Sequence, residues 1–361
     1  MKIKPDWLFA GRARRYSAIG LSFLEDAVNL VQLDCRGSVP AVSAASLIAI
    51  DGSVDELLES PEQLKSLLQP ALKQSFVGRR VYSCLPAEHY RLLYINYRQP
   101  KSGNEATAVL EQVRERLDGP VSGYVIDYLP IRAKAASDEN LALVSVSSKP
   151  VVEDYLDCLQ RSGLYVDALE IAPVSINRLL GTVAATDDHH NSASLTVGRY
   201  KSTLSVYSGR RLILDREVQV GERDIIQQLC RSLDVDEGLA RRMLKQGEAG
   251  AGQPGSSELP STVGQIVKPL LLKLAHEFDK AQAYTASQTR GEPIRHIYLL
   301  GAASDWPLAS RILTEIIDVP VSSLSPVTRC AELESHLQVP QALADHCLPV
   351  SCGLALRGAL A

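Results

Sequence analysis

At 361 residues the chain is long enough for about two to three domains of ordinary size. Its 45% hydrophobic and 22% charged content is that of a globular chain and excludes disorder, and 5% aromatic content leaves Leu, Val, Ile and Ala to build the core. With 38 basic against 42 acidic residues and a net charge of -4, the composition offers no concentrated basic face for nucleic acid.

The segment from Lys2 to Arg15 is locally basic and carries Trp7, Leu8 and Phe9, which reads as a solvated arm or as a weak tether to anionic lipid. Tyr16 to Leu21 and Ala27 to Leu33 read as a pair of strands. Ala41 to Ile50 reads as a third strand, with helix the alternative that its alanines leave open. Ser60-Pro61-Glu62-Gln63 has the form of a capping box, and Leu64, Leu67, Leu68 and Leu72 follow at helical spacing up to a kink expected at Pro70. Arg80 to Leu85 is a short buried strand.

The pattern then changes to strand, helix, strand, strand. Tyr90 to Tyr97 is a strand, and Ala106, Val109, Leu110, Val113 and Leu117 mark one helical face. Tyr124 to Leu129 and Leu141 to Ser147 are strands, and a helix from Lys149 stops at Gly163. A polar break from Ala184 to Ser194 divides the chain. Beyond it, Leu195 to Val206 and Arg211 to Val220 read as a hairpin turning at Ser208-Gly209. A helix with Ile225, Ile226, Leu229 and Leu233 comes next, and Gly247 to Pro260 reads as a mobile loop. The longest helix carries Val263, Val267, Leu270, Leu271, Leu274, Phe278 and Ala281, with Pro269 inside it expected to kink or interrupt the early turns. Strand His296 to Leu300 and a helix from Pro307 end the pattern.

Seven cysteines (35, 84, 158, 230, 330, 347 and 352) are odd in number, widely spaced and without a Cys-x-x-Cys, which points to reduced thiols in a cytosol. His189-His190 beside Asp187-Asp188 reads as a loop, not a metal site. No run approaches the ~18 apolar residues of a membrane span and no signal peptide is visible, so a soluble chain is expected.

Two α/β halves that each open on a hairpin suggest an actin-like duplication. Ile19-Gly20-Leu21-Ser22 with Val28 to Leu33, Asp215-Arg216-Glu217-Val218-Gln219-Val220-Gly221, Leu299-Leu300-Gly301-Ala302-Ala303 and Cys352-Gly353-Leu354-Ala355-Leu356-Arg357-Gly358 together resemble the PilM family of type IV pilus assembly. The cytoplasmic part of GspL and the pilus protein MshI look like relatives in kind, although a GspL-like chain is expected to continue into a transmembrane helix. The resemblance implies an actin-like duplicated α/β fold with an inserted strand–helix–strand–strand subdomain. On that division, 1–87 with 164–190 is one subdomain, 88–163 the insert, 191–220 with 293–361 another, and 221–292 the last.

The resemblance also implies a nucleotide cleft whose motifs have decayed. Around Gly20, Ser22 stands at the family's Asp position, Leu24 at its Gly, Glu25 at its Ser or Thr, and Asn29 at its Lys. A carboxylate about 4 Å from a phosphate costs about 4 kcal/mol at an effective dielectric of about 20, so Glu25 is the most damaging change. In the second loop Gly198 is kept, Thr196 replaces Asp, and Arg199 and Lys201 are either anion-attracting or ordinary turn charges. Of the adenosine glycine pair Gly301 remains and Ala302 replaces the other. No cofactor is expected, with ATP the candidate if binding survives.

The implied function is a cytoplasmic scaffold, peripheral to the inner membrane, that binds the N-terminal cytoplasmic peptide of a PilN-like protein beside the Arg80 to Leu85 strand and the insert. The rivals are an ATP-binding switch or ATPase of the same superfamily and a cell-division filament protein. Both need acidic residues where Ser22 and Thr196 stand.

Overall fold

The opening strands pair as their apolar pattern predicts, the first starting three residues later than expected and the second at the expected Ala27. Strands β1 (Ile19–Phe23) and β2 (Ala27–Asp34) form an antiparallel hairpin, and Tyr16 makes only an isolated bridge to Asp34. β2 is buried along nearly its whole length, including Gln32, because helices cover both faces of its sheet. Gln32 is satisfied there: its amide nitrogen donates to the carbonyls of Ser17 and Val77, and its oxygen accepts from the Val77 N–H at 2.8 Å. β3 (Ala41–Ala49) pairs antiparallel with β2, which settles that alanine-rich stretch as strand.

The computed structural model describes residues 15–36, 40–98, 104–131, 139–183, 190–246, 259–289, 291–324 and 348–359. They divide into two compact units, one holding residues to 128, 142–183 and 348–359, the other 129–141 and 190–324. The N-terminal basic arm, the two histidine-flanking aspartates and the expected loop at 247–258 lie outside the described residues.

In the first unit a capping box forms seven residues earlier than expected, on the preceding helix. Ser53 and Glu56 exchange side-chain and backbone bonds at the head of α1 (Val54–Leu58), whereas the Ser60 side chain does not cap α2 (Pro61–Gln74). α2 runs through Pro70 unbroken and buries Leu64, Leu68 and Leu72. β4 (Arg80–Cys84) follows, and then the insert: β5 (Arg91–Arg98), α3 (Glu105–Arg114), β6 (Tyr124–Ile131) and β7 (Glu139–Ser148), in sheet order β5-β7-β6. Ile95, Tyr97, Val109, Val113, Ala142, Val144 and Val146 form its separate core, as the helical stripe of α3 predicts.

α4 (Lys149–Arg161) ends where Gly163 takes φ +89°, a left-handed conformation, and the Leu164 N–H reaches back to the Leu159 carbonyl at 3.0 Å. β8 (Tyr165–Glu170) and α5 (Ala172–Val183) complete the segment. The main sheet has the order β3-β2-β1-β4-β8, with β1, β4 and β8 parallel.

The second unit repeats that order. β9 (Asn191–Val197), β10 (Ser202–Ser208) and β11 (Arg211–Val218) form an antiparallel meander, and β12 (Ile294–Gly301) and β13 (Val321–Ser323) add parallel strands in the order β11-β10-β9-β12-β13. The stretch Leu195 to Val206 is therefore two strands broken at Gly198 to Lys201, not one, because the chain must reverse there to pair β9 with β10. The polar residues Asn191 to Ser194, expected in a break, are strand as well. Helices α6 (Glu222–Leu233), α7 (Glu237–Gln246), α8 (Leu259–Gln288) and α9 (Pro307–Ile317) complete the unit, and Pro269 sits inside α8 without ending it. The same 3-2-1-4-5 order in both units is the actin-like duplication that the sequence predicts.

The last helix, α10 (Pro349–Ala359), departs from the expected division. The resemblance groups 293–361 together, but α10 packs on α5, β1 and β2 in the first unit. Alternation sends Ile19 and Leu21 to the leucine-rich core under α2 and α4, so Gly20 and Ser22 face α10 on the opposite side. A Cβ on Gly20 would lie 1.9 Å from the Ser351 carbonyl oxygen, and one on Gly353 would lie 2.0 Å from that of Ser175 in α5. Backbone therefore meets backbone on both sides of α10.

Gly20→Ala should destabilise the chain by about 3 kcal/mol in denaturant titration, the cost of overpacking a rigid contact. Gly119→Ala, whose Cβ meets nothing within 4 Å, should change it by less than about 0.5 kcal/mol.

Candidate functional site

In open α/β sheets the loops at the carboxyl ends of parallel strands are where ligands sit, which makes the ends of β1, β9 and β12 the places to examine. Most of the residues singled out from sequence lie at those ends: Ser22 and Glu25 in the first unit, with Gly20 earlier in β1, and Thr196, Gly198, Gly301 and Ala302 in the second.

In the first unit Ser22 is almost fully buried, and its hydroxyl is 2.7 Å from that of Ser351, which in turn bonds the Asn29 carbonyl at 3.2 Å. The position where the resemblance expects a carboxylate is thus an interior hydroxyl pair under α10. Gly20 leaves room for the Ser351 backbone, not for a phosphate. Glu25 is half-buried in the β1–β2 turn, where the Leu24 N–H bonds the Ala27 carbonyl at 2.8 Å. Asn29, at the expected lysine position, is fully buried. Among the described residues no group of three or more His, Cys, Asp or Glu is placed to hold a metal ion. The side chains of this loop do not fit a magnesium-bound phosphate.

In the second unit the register Leu300–Thr196 and Gly301–Val197 brings the remaining candidates together. Gly301 takes φ +72°, and a Cβ there would lie 2.3 Å from the Val197 carbonyl, so both conformation and space demand glycine. Ala302 opens a short helical turn to Asp305, and Lys245 of α7 reaches Asp305 at 3.0 Å, a tie that sequence spacing gives no sign of. Gly198 closes the β9–β10 turn by bonding Lys201. The carbonyls of Gly198 and Arg199 accept from the first amides of α6, Glu222 and Arg223, at 2.8 and 2.9 Å. Those amides are the groups a helix N-terminus would offer an anion, and the protein's own turn occupies them. Lys201 is paired with Glu217 at 2.5 Å, and the guanidiniums of Arg199 and Arg223 both lie over the exposed ring of Tyr200.

Asp215 is a carboxylate buried within this sheet. It sits opposite Ser205, whose hydroxyl donates to its carboxylate at 2.6 Å, and beside the buried Tyr207–Ser194 hydroxyl pair. Burial pushes its pKa up to about 6; the Ser205 bond holds it back and the Glu217 charge adds to the rise. The sequence marks Asp215 only as the first residue of a motif, because nothing local reveals that the strand buries it.

The β4 strand, expected to flank a peptide groove, is paired on both sides, to β1 and β8. It has no backbone edge to lend. The outer strands of this unit's sheets are β3, β8, β5 and β6. On β6 the Tyr128 N–H is bonded by the Asp127 side chain at 2.9 Å, and Val125 and Leu129 are exposed.

A family model described as type IV pilus assembly protein PilM matches residues 109–359. Among solved structures, the PilM-PilN type IV pilus biogenesis complex aligns with a TM-score of 0.72 at 19% identity, covering 96% of this chain and 99% of that one. The ethanolamine utilization protein EutJ from Carboxydothermus hydrogenoformans aligns at 0.53 with 14% identity, covering 94% and 89%. At such identities these likenesses speak to the fold, which is actin-like.

Two outcomes are expected. Ser22→Asp should lower stability by at least about 2 kcal/mol at pH 7, because it buries a carboxylate against Ser351; unchanged stability in denaturant titration would count against this packing. Asp215 has a folded pKa above its unfolded one, so its contribution is full below about pH 4 and lost as pH rises through about 6. Asp215→Asn should therefore be more stable than the parent by about 2 kcal/mol at pH 7.5, with the gap closing by pH 4. Parallel stability curves across that range would contradict it.

Proposed function

Because the chain belongs to the type IV pilus assembly protein PilM family, we propose that it is an actin-like scaffold of a pilus assembly machine, held at the cytoplasmic face of the inner membrane by the N-terminal tail of a PilN-like protein. The observation that carries this reading is the family match over 109–359, joined by a fold likeness that spans nearly all of a PilM solved with PilN. Among the described residues no helix is long and apolar enough to cross a membrane, so attachment falls to a partner.

An extended tail gains backbone hydrogen bonds only from an outer strand, and β5 and β6 of the insert supply such strands, β6 with exposed Val125 and Leu129. The paired β4 is not the docking strand in this reading.

The scaffold is a pseudo-ATPase. Its support is the spent hydroxyl of Ser22, the filled space above Gly20, and the helix α6 amides taken by the Gly198 turn.

Calorimetric titration of the full chain with the synthetic tail of its PilN-like partner should give a Kd on the order of 10 μM at low salt. Mg-ATP under the same conditions should give no binding tighter than ~100 μM. Absence of tail binding would overturn the partner assignment. Tight Mg-ATP binding with thermal stabilisation would return the nucleotide-switch reading.

A further inference from the structure

The second unit has a groove that none of the nucleotide or partner arguments uses. One side of it is a single face of α6, where Asp224, Gln227, Gln228 and Arg231 recur at i, i+3, i+4 and i+7. Leu270 and Lys273 of α8, one turn apart, form the other side, and the space between is about 200 Å³.

Its charge is unbalanced. Arg231 and Lys273 come from different helices to the same groove, and neither makes an ion pair or hydrogen bond among the described residues. By contrast, Arg216 and Lys280 are paired with Glu277, and Arg241 with Glu222. The carboxylate that lines the groove, Asp224, lies two turns from Arg231 and accepts the Gly221 N–H at 2.9 Å, so it does not neutralise the cationic end. Between the ends, the Gln227 and Gln228 amides offer both donors and acceptors over an apolar wall at Leu270.

Two cations on opposite walls suit an anion with more oxygens and more charge than one carboxylate. A phosphoryl group offers an oxygen pair to the guanidinium fork and another oxygen to the ammonium. The amides and Leu270 suit a short hydroxylated body attached to it.

We propose that this groove binds a phosphate ester of glycerol type, with its phosphoryl oxygens between Arg231 and Lys273 and its body along Gln227, Gln228 and Leu270. The chemistry is shared by a soluble phosphate ester and by a phosphatidylglycerol headgroup.

Glycerol 3-phosphate titrated into the full chain at low ionic strength should bind with a Kd on the order of 1 mM, observed by NMR shifts or calorimetry. Arg231→Gln and Lys273→Gln, both exposed positions, should each weaken binding at least fivefold. Lys268→Gln, on the same helix but outside the groove, should leave it within twofold. Flotation with vesicles of phosphatidylcholine, with and without phosphatidylglycerol, separates the sources. Flotation that needs both phosphatidylglycerol and Arg231 assigns the headgroup; glycerol 3-phosphate binding without flotation assigns the soluble ester. The proposal is overturned if neither probe binds, if the groove substitutions change nothing, or if Lys268→Gln weakens binding as much as they do.

Discussion

The first unit depends on a contact in which two backbones touch without side chains between them. β1 is laid down near the start of the chain, and α10 arrives more than three hundred residues later to cover it. Gly20 and Gly353 let α10 sit between β1 and α5 at distances any larger residue would forbid. The contact is fastened by Ser22 to Ser351 and by Glu170, a buried carboxylate held bidentately by Arg178 and also by Arg357 of α10. Arg178 also donates to the Gly353 carbonyl at 2.8 Å. Glu170 thus has one partner on the neighbouring α5 and a second on α10, which ties α10 to the unit it closes.

That contact bears on function through what it uses up. The strand end where an actin-like protein needs an exposed acid and an open glycine is, here, the underside of a helix. The second unit spends its polar groups in the same way: the Gly198 turn caps α6, Lys201 answers Glu217, and Lys245 answers Asp305. Both units thus keep the same 3-2-1-4-5 framework while the polar groups at these strand ends are paired within the protein.

Periodicity made the helices with one apolar face legible. The stripe of α3 and the Gly163 stop of α4 are local, since a helix buries the face its own spacing creates and a left-handed stop requires glycine. The order of the insert and the duplication were legible for the same reason. Less local features were misplaced or missed. The capping box formed at Ser53 instead of Ser60, and Pro70 and Pro269 were carried inside helices because packing along their apolar faces outweighs one lost hydrogen bond each. β8 and α5 went unread, their patterns being short and their burial set by neighbours.

The sequence by itself determined which residues are apolar, where the chain turns and which motifs stand in what order, and from these the actin-like family follows. Tertiary structure decided what each motif residue is for. Gly20 could serve a phosphate or a helix, and the choice lies with Ser351, a residue it meets only after the whole chain has folded. Whether Asp215 is charged, and whether Arg231 and Lys273 face each other across one groove, likewise depend on strands and helices brought together from distant segments. Local spacing encodes faces; only long-range pairing determines what covers them.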